Sequence, residues 1–153
     1  MNIYKANYLH LFMAGLYLAQ SDREEMDRLE AGRDPINVLT ASVGDPSVMH
    51  ISDDLGKVLA VGGHSKGLIW FVHTAHAEAL SFRQKLKMLR LLTKHLIRIK
   101  RAAQVERPQD TLHFTNIVSE ANTTHIKLLN YLGAVWSNRP IYQNGHEFKQ
   151  FYF

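Results

Sequence analysis

Residues 122–136 read NTTHIKLLNYLGAVW, and the fold is decided on how that run is parsed. Asn122 is a good helix N-cap, because its side-chain oxygen can take one of the free amides of a first turn. Ile126, Leu128, Leu129 and Leu132 then supply buried positions at helical spacing. Gly133 suits the left-handed residue that closes a helix, and Val135 onward reads as a strand. With Thr111–Val118 read as a strand before it, the unit is strand, Asn-capped helix, Gly stop, strand.

Downstream, Asn144-Gly145 gives a type I′ hairpin signal, with Phe148–Phe153 as the closing strand. Upstream, Phe82, Leu86, Leu89, Leu92, Leu96, Ile99 and Ala103 recur at intervals of three and four, predicting one helix from about His76 to Gln104 with its limit at Pro108. Before it, three strands are expected: Val48–Ser52, Lys57–Val61 ending at Gly62-Gly63, and Leu68–Thr74. Turns fall at Asp54–Gly56 and His64–Gly67. At the start, Leu9, Phe12, Leu16 and Ala19 predict a helix over Ala6–Gln20. Ser21-Asp22-Arg23-Glu24 reads as a capping box opening a second, acidic helix that Gly32 and Pro35 bring to an end. The whole is a single domain, residues 1–153, with a mixed α/β sheet and helices on its faces.

Composition agrees with that outline. A chain of 153 residues with 46% hydrophobic content can bury a real core, and no cysteine is present for disulfides or thiolate metal sites. The formal charge of +4 is unevenly spread. Asp22, Glu24, Glu25, Asp27, Glu30 and Asp34 crowd one short stretch, whereas Arg83–Arg101 carries eight of the eighteen Lys and Arg. A basic stripe can bind nucleic acid, although a solvated helix face is the commoner reason for one. Lys5 and the apolar run after it have the outline of a signal peptide. His10 and Tyr17 interrupt that run, and no stretch approaches the roughly 20 apolar residues of a membrane span. The expectation is a soluble intracellular protein.

The element order, and the residues Val118, Asn122, Leu128, Leu132, Gly133, Ala134 and Val135 in particular, resemble the GCN5-related N-acetyltransferase fold. That resemblance implies a mostly antiparallel central sheet flanked by helices. The combination of VLAVGGHSKGLIWFVHT, a basic helix, NTTHIKLLNYLGAVW and QNGHEFKQFYF also resembles the internal virion protein A family of short-tailed bacteriophages, from about Lys57 to Phe153. Membership would imply a small protein of virion assembly, found in the virion and the host cytoplasm, with other virion, head or tail proteins as partners and with self-association possible.

The acetyltransferase resemblance implies a glycine-containing loop at the start of the long helix, where amides approach a cofactor pyrophosphate. Here no glycine stands between Gly67 and Gly133. Any acetyl-CoA binding would fall to the amides and side chains of His76, Ala77, Glu78 and Arg83, with Asn122 beyond them. The resemblance also implies a Tyr four residues before the turn glycine, as proton donor to the leaving thiolate. That position holds Leu129, and Tyr131 lies about 200° further round the helix. His73, at a strand end, is the candidate base. His73-x-x-His76 is half of a metal site at most, and Gly62–Gly67 lacks the spacing of a phosphate loop. These residues favour a non-catalytic, acetyltransferase-like protein acting through protein contacts, with no cofactor and no metal. The alternative is an acetyl-CoA-dependent N-acyltransferase acting on a host protein or small amine.

Overall fold

Strand-forming residues in seven places pair into one sheet in the computed structural model, which describes residues 1–153. In chain order the elements are β1 (Asn2–Lys5), α1 (Tyr8–Leu16), α2 (Gln20–Leu29), α3 (Pro35–Thr40), β2 (Met49–Ser52), β3 (Val58–Ser65), β4 (Leu68–His73), α4 (Ala75–Glu78), α5 (Phe82–Glu106), β5 (Thr115–Ser119), α6 (Thr123–Tyr131), β6 (Val135–Gln143) and β7 (His146–Tyr152). The strand order is β1-β2-β3-β4-β5-β7-β6. Every neighbouring pair is antiparallel except the central one, β4 with β5.

That parallel pair positions the candidate site. It registers at one rung, Leu68 opposite Thr115, where the Thr115 amide donates to Gly67 O at 2.9 Å. The next link is made by a side chain, Asn116 Nδ2 donating to Ile69 O at 2.8 Å. Further along, the strands part, and the sheet is split into two halves that open towards His73 and Ser119. Backbone groups along such an opening need partners from elsewhere.

Each half has its own core. In the first half, Leu11, Ala14, Leu18, Met26 and Leu39 from the N-terminal helical region pack on Val48, Val58 and Val61. On the opposite face, Met88 and Ala77 meet Ile51, Leu59 and Ala60. In the second half, Leu96 and Ala103 of α5 and Leu129 of α6 pack against Phe114, Val118, Phe151 and Phe153. The helix α5 therefore spans both halves, burying Met88 at one end and Leu96 and Ala103 further along.

Several expectations need correction. A first strand, β1, precedes α1, and α1 is shorter than Ala6–Gln20. Its buried residues are Leu11, Ala14 and Gly15, whereas Leu9 and Leu16 of the expected stripe face solvent. The cause is that residues 17–19 leave the helix to run beside β4, with the Ala75 amide donating to Tyr17 O and the Ala19 amide to His73 O. Ser21 is not a cap: α2 starts two residues earlier than expected, behind Ala19, and the Ser21 hydroxyl is buried without a partner. Pro35 opens α3, behind an Asp34 cap whose carboxylate takes the Ile36 amide at 3.0 Å.

The strand β3 does not stop at Gly62-Gly63. It runs through them because Trp70 and Val48 press against the backbone there. A Cβ at Gly62 would lie 2.7 Å from Trp70 O, and one at Gly63 2.9 Å from Val48 Cγ2. The turn after β3 is formed by Lys66 and Gly67, both at positive φ. The single long helix is two. The short α4 is followed by α5, which begins at a capping box in which Ser81 Oγ takes the Gln84 amide and Gln84 Oε1 takes the Ser81 amide. Phe82 is 75% exposed rather than part of the stripe. The strand expected over Thr111–Val118 starts only at Thr115. Other readings match: Asn122 caps α6 through a bond from the His125 amide at 3.1 Å, Gly133 has φ +83°, and Asn144-Gly145 turns the last hairpin with both φ positive.

Candidate functional site

The open end of the β4–β5 gap is filled by a polar cluster, and its residues come from three parts of the chain. Asp22 and Glu25 lie three apart on α2, beside the apolar positions Met26 and Leu29, so the carboxylates share the buried face of that helix. His73 ends β4, Ser119 ends β5, and Asn122 and His125 stand at the start of α6.

Asp22 is 3% exposed, and its Oδ2 accepts two hydrogen bonds from His73: one from the backbone amide at 2.8 Å and one from Nδ1 at 2.8 Å. Glu25 Oε2 accepts from the Ser119 amide at 3.3 Å. Between the two carboxylates sits Asn122, 2% exposed, whose Nδ2 donates to Glu25 Oε2 at 2.8 Å and to Asp22 Oδ1 at 3.1 Å. The residue that caps α6 with its oxygen therefore ties α6 to α2 with its nitrogen, through the same two carboxylates that hold the ends of β4 and β5.

The charge states follow from this geometry. Burial alone would raise the Asp22 pKa, but the bonds from His73 and its charge outweigh burial and hold it below the usual value. For His73, burial opposes the charged form, yet the Asp22 carboxylate, with Glu78 Oε1 3.6 Å from Nε2, raises its pKa. Glu25 differs. Burial and the neighbouring Asp22 charge prevail over its hydrogen bonds and push its pKa up to about 7. His125 is held neutral by burial, its pKa lowered, and its Nδ1 lies 3.9 Å from Glu25 Oε1, too far for a hydrogen bond. The site thus contains a charged pair, Asp22–His73, beside a carboxyl poised near neutrality.

Adjoining the cluster is a cleft of about 420 Å³, mostly apolar, whose walls include Trp70, Phe71, Leu92, Leu96, Ile117 and Leu128. Asp22, Glu25 and His125 lie on its border. Phe114 is 4% exposed and packs edge-on against His64.

The other residues singled out in sequence are dispersed. Tyr131 is exposed, and the neighbouring Asn130 holds the Trp136 indole N–H at 2.7 Å. The His76 ring lies against Tyr17, with centroids 4.7 Å apart. Ala77 is buried beneath α4, and its amide donates to Thr74 O at 2.9 Å. Glu78 turns towards His73, and Arg83 is exposed on the first turn of α5. Asn122 belongs to the gap cluster. Asp22, Glu25 and His125 were not picked out in sequence. The signal was present: acidic residues at 22 and 25 occupy the helical face that also carries Met26 and Leu29, which is the wrong place for solvated charge.

A family model described as bacteriophage T7, probable scaffold protein Gp13, matches residues 47–140, more than half of the chain. The chain belongs to that family. The matched region of this scaffold-protein family holds His73, Ser119, Asn122 and His125, while Asp22 and Glu25 lie before it. A search of curated proteins finds no match. Among solved structures, the chain is similar to an acetyltransferase of the GNAT family from Bacillus cereus, with 11% identity, TM-score 0.60, and coverage of 99% of this chain and 95% of that one. It is similar to the GNAT domain of S. lividans PAT, with 12% identity, TM-score 0.62, and coverage of 99% and 89%. It is also similar to an N-acetyltransferase from Staphylococcus aureus Mu50, with 12% identity, TM-score 0.58, and full coverage of both chains. At such identities the likeness is one of fold, and the fold is the acetyltransferase fold. A fold alone does not carry an activity.

Proposed function

We propose that this chain is a virion-assembly protein that uses a non-catalytic acetyltransferase-like domain to contact other phage head or tail proteins, in the manner of an internal virion protein, in the infected cell and the virion. Membership of the scaffold-protein family supports the assembly role. One structural observation carries the non-catalytic part: α2 occupies the wide end of the β4–β5 gap, where Asp22 takes the His73 amide and Glu25 takes the Ser119 amide. A thioester donor lying between the strands would need backbone groups of that kind for itself, and displacing buried carboxylates from their partners is costly. Of the amides expected to hold a pyrophosphate, those of Ala77 and Glu78 are similarly engaged, both with Thr74 O.

A second reading, an acetyl-CoA-dependent N-acyltransferase, is favoured by the apolar cleft and by Glu25, whose pKa near 7 suits a general base. Titration calorimetry of the purified protein with acetyl-CoA separates the two. The assembly reading expects no binding tighter than about 1 mM. A micromolar dissociation constant, or release of free CoA when amines are supplied, overturns it.

A further inference from the structure

Eight basic residues lie on α5, and the structure shows how they are distributed. Arg83, Lys87, Arg90, Lys94, Arg98 and Arg101 follow one another at steps of four, three, four, four and three residues, and all six are exposed. At about 100° per residue they fall within an arc of about 80°, nearly opposite the buried line of Met88, Leu92, Leu96, Ile99 and Ala103. The stripe is about 27 Å long and points straight away from the sheet.

None of the six forms an ion pair with a carboxylate. Lys87 has Asp54 as an acidic neighbour, and Arg98 touches the His95 ring at 3.2 Å. From Phe82 to Val105 the helix contains no acidic residue at all. A helix face kept merely soluble usually alternates its charges, because like charges three or four apart repel. Here repulsion accumulates along the whole line, and Arg83 sits at the helix end that favours anions. The arrangement is unfavourable for the isolated helix and suits an external line of negative charge.

We propose that the exposed face of α5 is a docking surface for the phosphate backbone of double-stranded DNA, bound without regard to sequence. The axial steps between cations, about 4.5–6 Å, place a continuous ridge of charge against one strand's phosphates. Phosphate contacts require no other chemistry. An acidic protein partner would be expected to find aromatic or apolar anchors among the charges, whereas between Arg83 and Arg101 the stripe offers only Ile97 at its margin, with exposed Phe82 and Val105 confined to its two ends. The absence of aromatic side chains along it also disfavours single strands, which bind by base stacking. A second copy of this chain is a poor occupant, because the acidic residues of Asp22–Asp34 are engaged within their own chain. The inference is independent of the proposed assembly role.

The test is fluorescence anisotropy of the full chain with a labelled duplex of mixed sequence, across a salt series. If all six cations meet phosphates, affinity falls about a thousandfold between about 50 and 200 mM salt. The triple variant Arg90→Gln, Lys94→Gln, Arg98→Gln should lower the logarithmic salt slope by about three. Lys127→Gln with Arg139→Gln, exposed sites elsewhere, should leave it unchanged. Helical circular dichroism of each variant checks folding, and the native chain's own salt slope decides the matter if the triple variant unfolds. No binding at low salt, a flat salt response, equal losses in the control variant, or tighter binding to single strands or polyglutamate than to the duplex would each overturn the proposal.

Discussion

Two charged helices flank the sheet and use their charge in opposite directions. On α2 and the turn after it, all six acidic residues have partners within the chain. Asp22 and Glu25 hold strand amides, Glu24 and Glu30 pair with Arg28 and Arg33, and Asp27 and Asp34 take the amides of Gly32 and Ile36. On α5, six cations in a row meet no carboxylate, and the face they form is turned outward. A run of like charge in a sequence therefore means different things according to where its counter-groups lie. The acidic run closes a gap in the molecule's own sheet, while the basic one waits for something outside it.

The contrast can be broken hardest at Asp22. Replacing it by Ala leaves the His73 amide and imidazole without their acceptor in a buried place, and a loss of about 3–5 kcal/mol is expected in urea unfolding. A loss under about 1 kcal/mol would mean that water or a rearranged α2 takes over the role. The next effect concerns Glu25. Its native pKa, raised to about 7 from 4.5, means that its contribution to stability is fully present at acid pH and is lost as pH rises through that window. Glu25→Gln removes this titration. The variant should therefore gain on the native protein by roughly 3 kcal/mol between about pH 4.5 and 8, measured as the difference of their unfolding free energies. A difference that stays constant with pH would show that Glu25 titrates normally. The smallest effect belongs to α5, where Lys94→Glu places an acid four residues from both Arg90 and Arg98. A gain of a few tenths of a kcal/mol in stability is expected, and a loss would indicate an unseen partner for Lys94.

The sequence carried some of this structure more clearly than the rest. The unit from Asn122 to Val135 was legible because cap, apolar spacing and stop residue are local signals that agree with one another. The last hairpin was legible for the same reason, since Asn-Gly specifies its turn directly. The N-terminal third was legible only in part: both of its first helices were expected, but their ends are set by contacts with distant strands. Residues 17–19 look helical on their own, yet they are drawn into pairing with β4. Gly62 and Gly63 look like a strand end until Trp70 and Val48 are seen to need the space. In the site, His73 and Asn122 could be marked from their positions at element ends. Their carboxylate partners lie 51 and 97 to 100 residues away, and no spacing rule connects residues that meet through a split in a sheet.

The last hairpin also reaches back to α2. Gln143 Nε2 donates to Leu29 O at 3.0 Å, and Asn144 Nδ2 reaches the same carbonyl, linking residues 114 and 115 positions apart. During synthesis, which proceeds at roughly 5–20 residues per second, α2 leaves the ribosome several seconds before Asn122 and the hairpin that pin it in place. For that interval Asp22 can already take His73 of β4, but Glu25 lacks Ser119 and Asn122, so the nascent chain passes through a stage in which α2 is tied to only one half of the sheet.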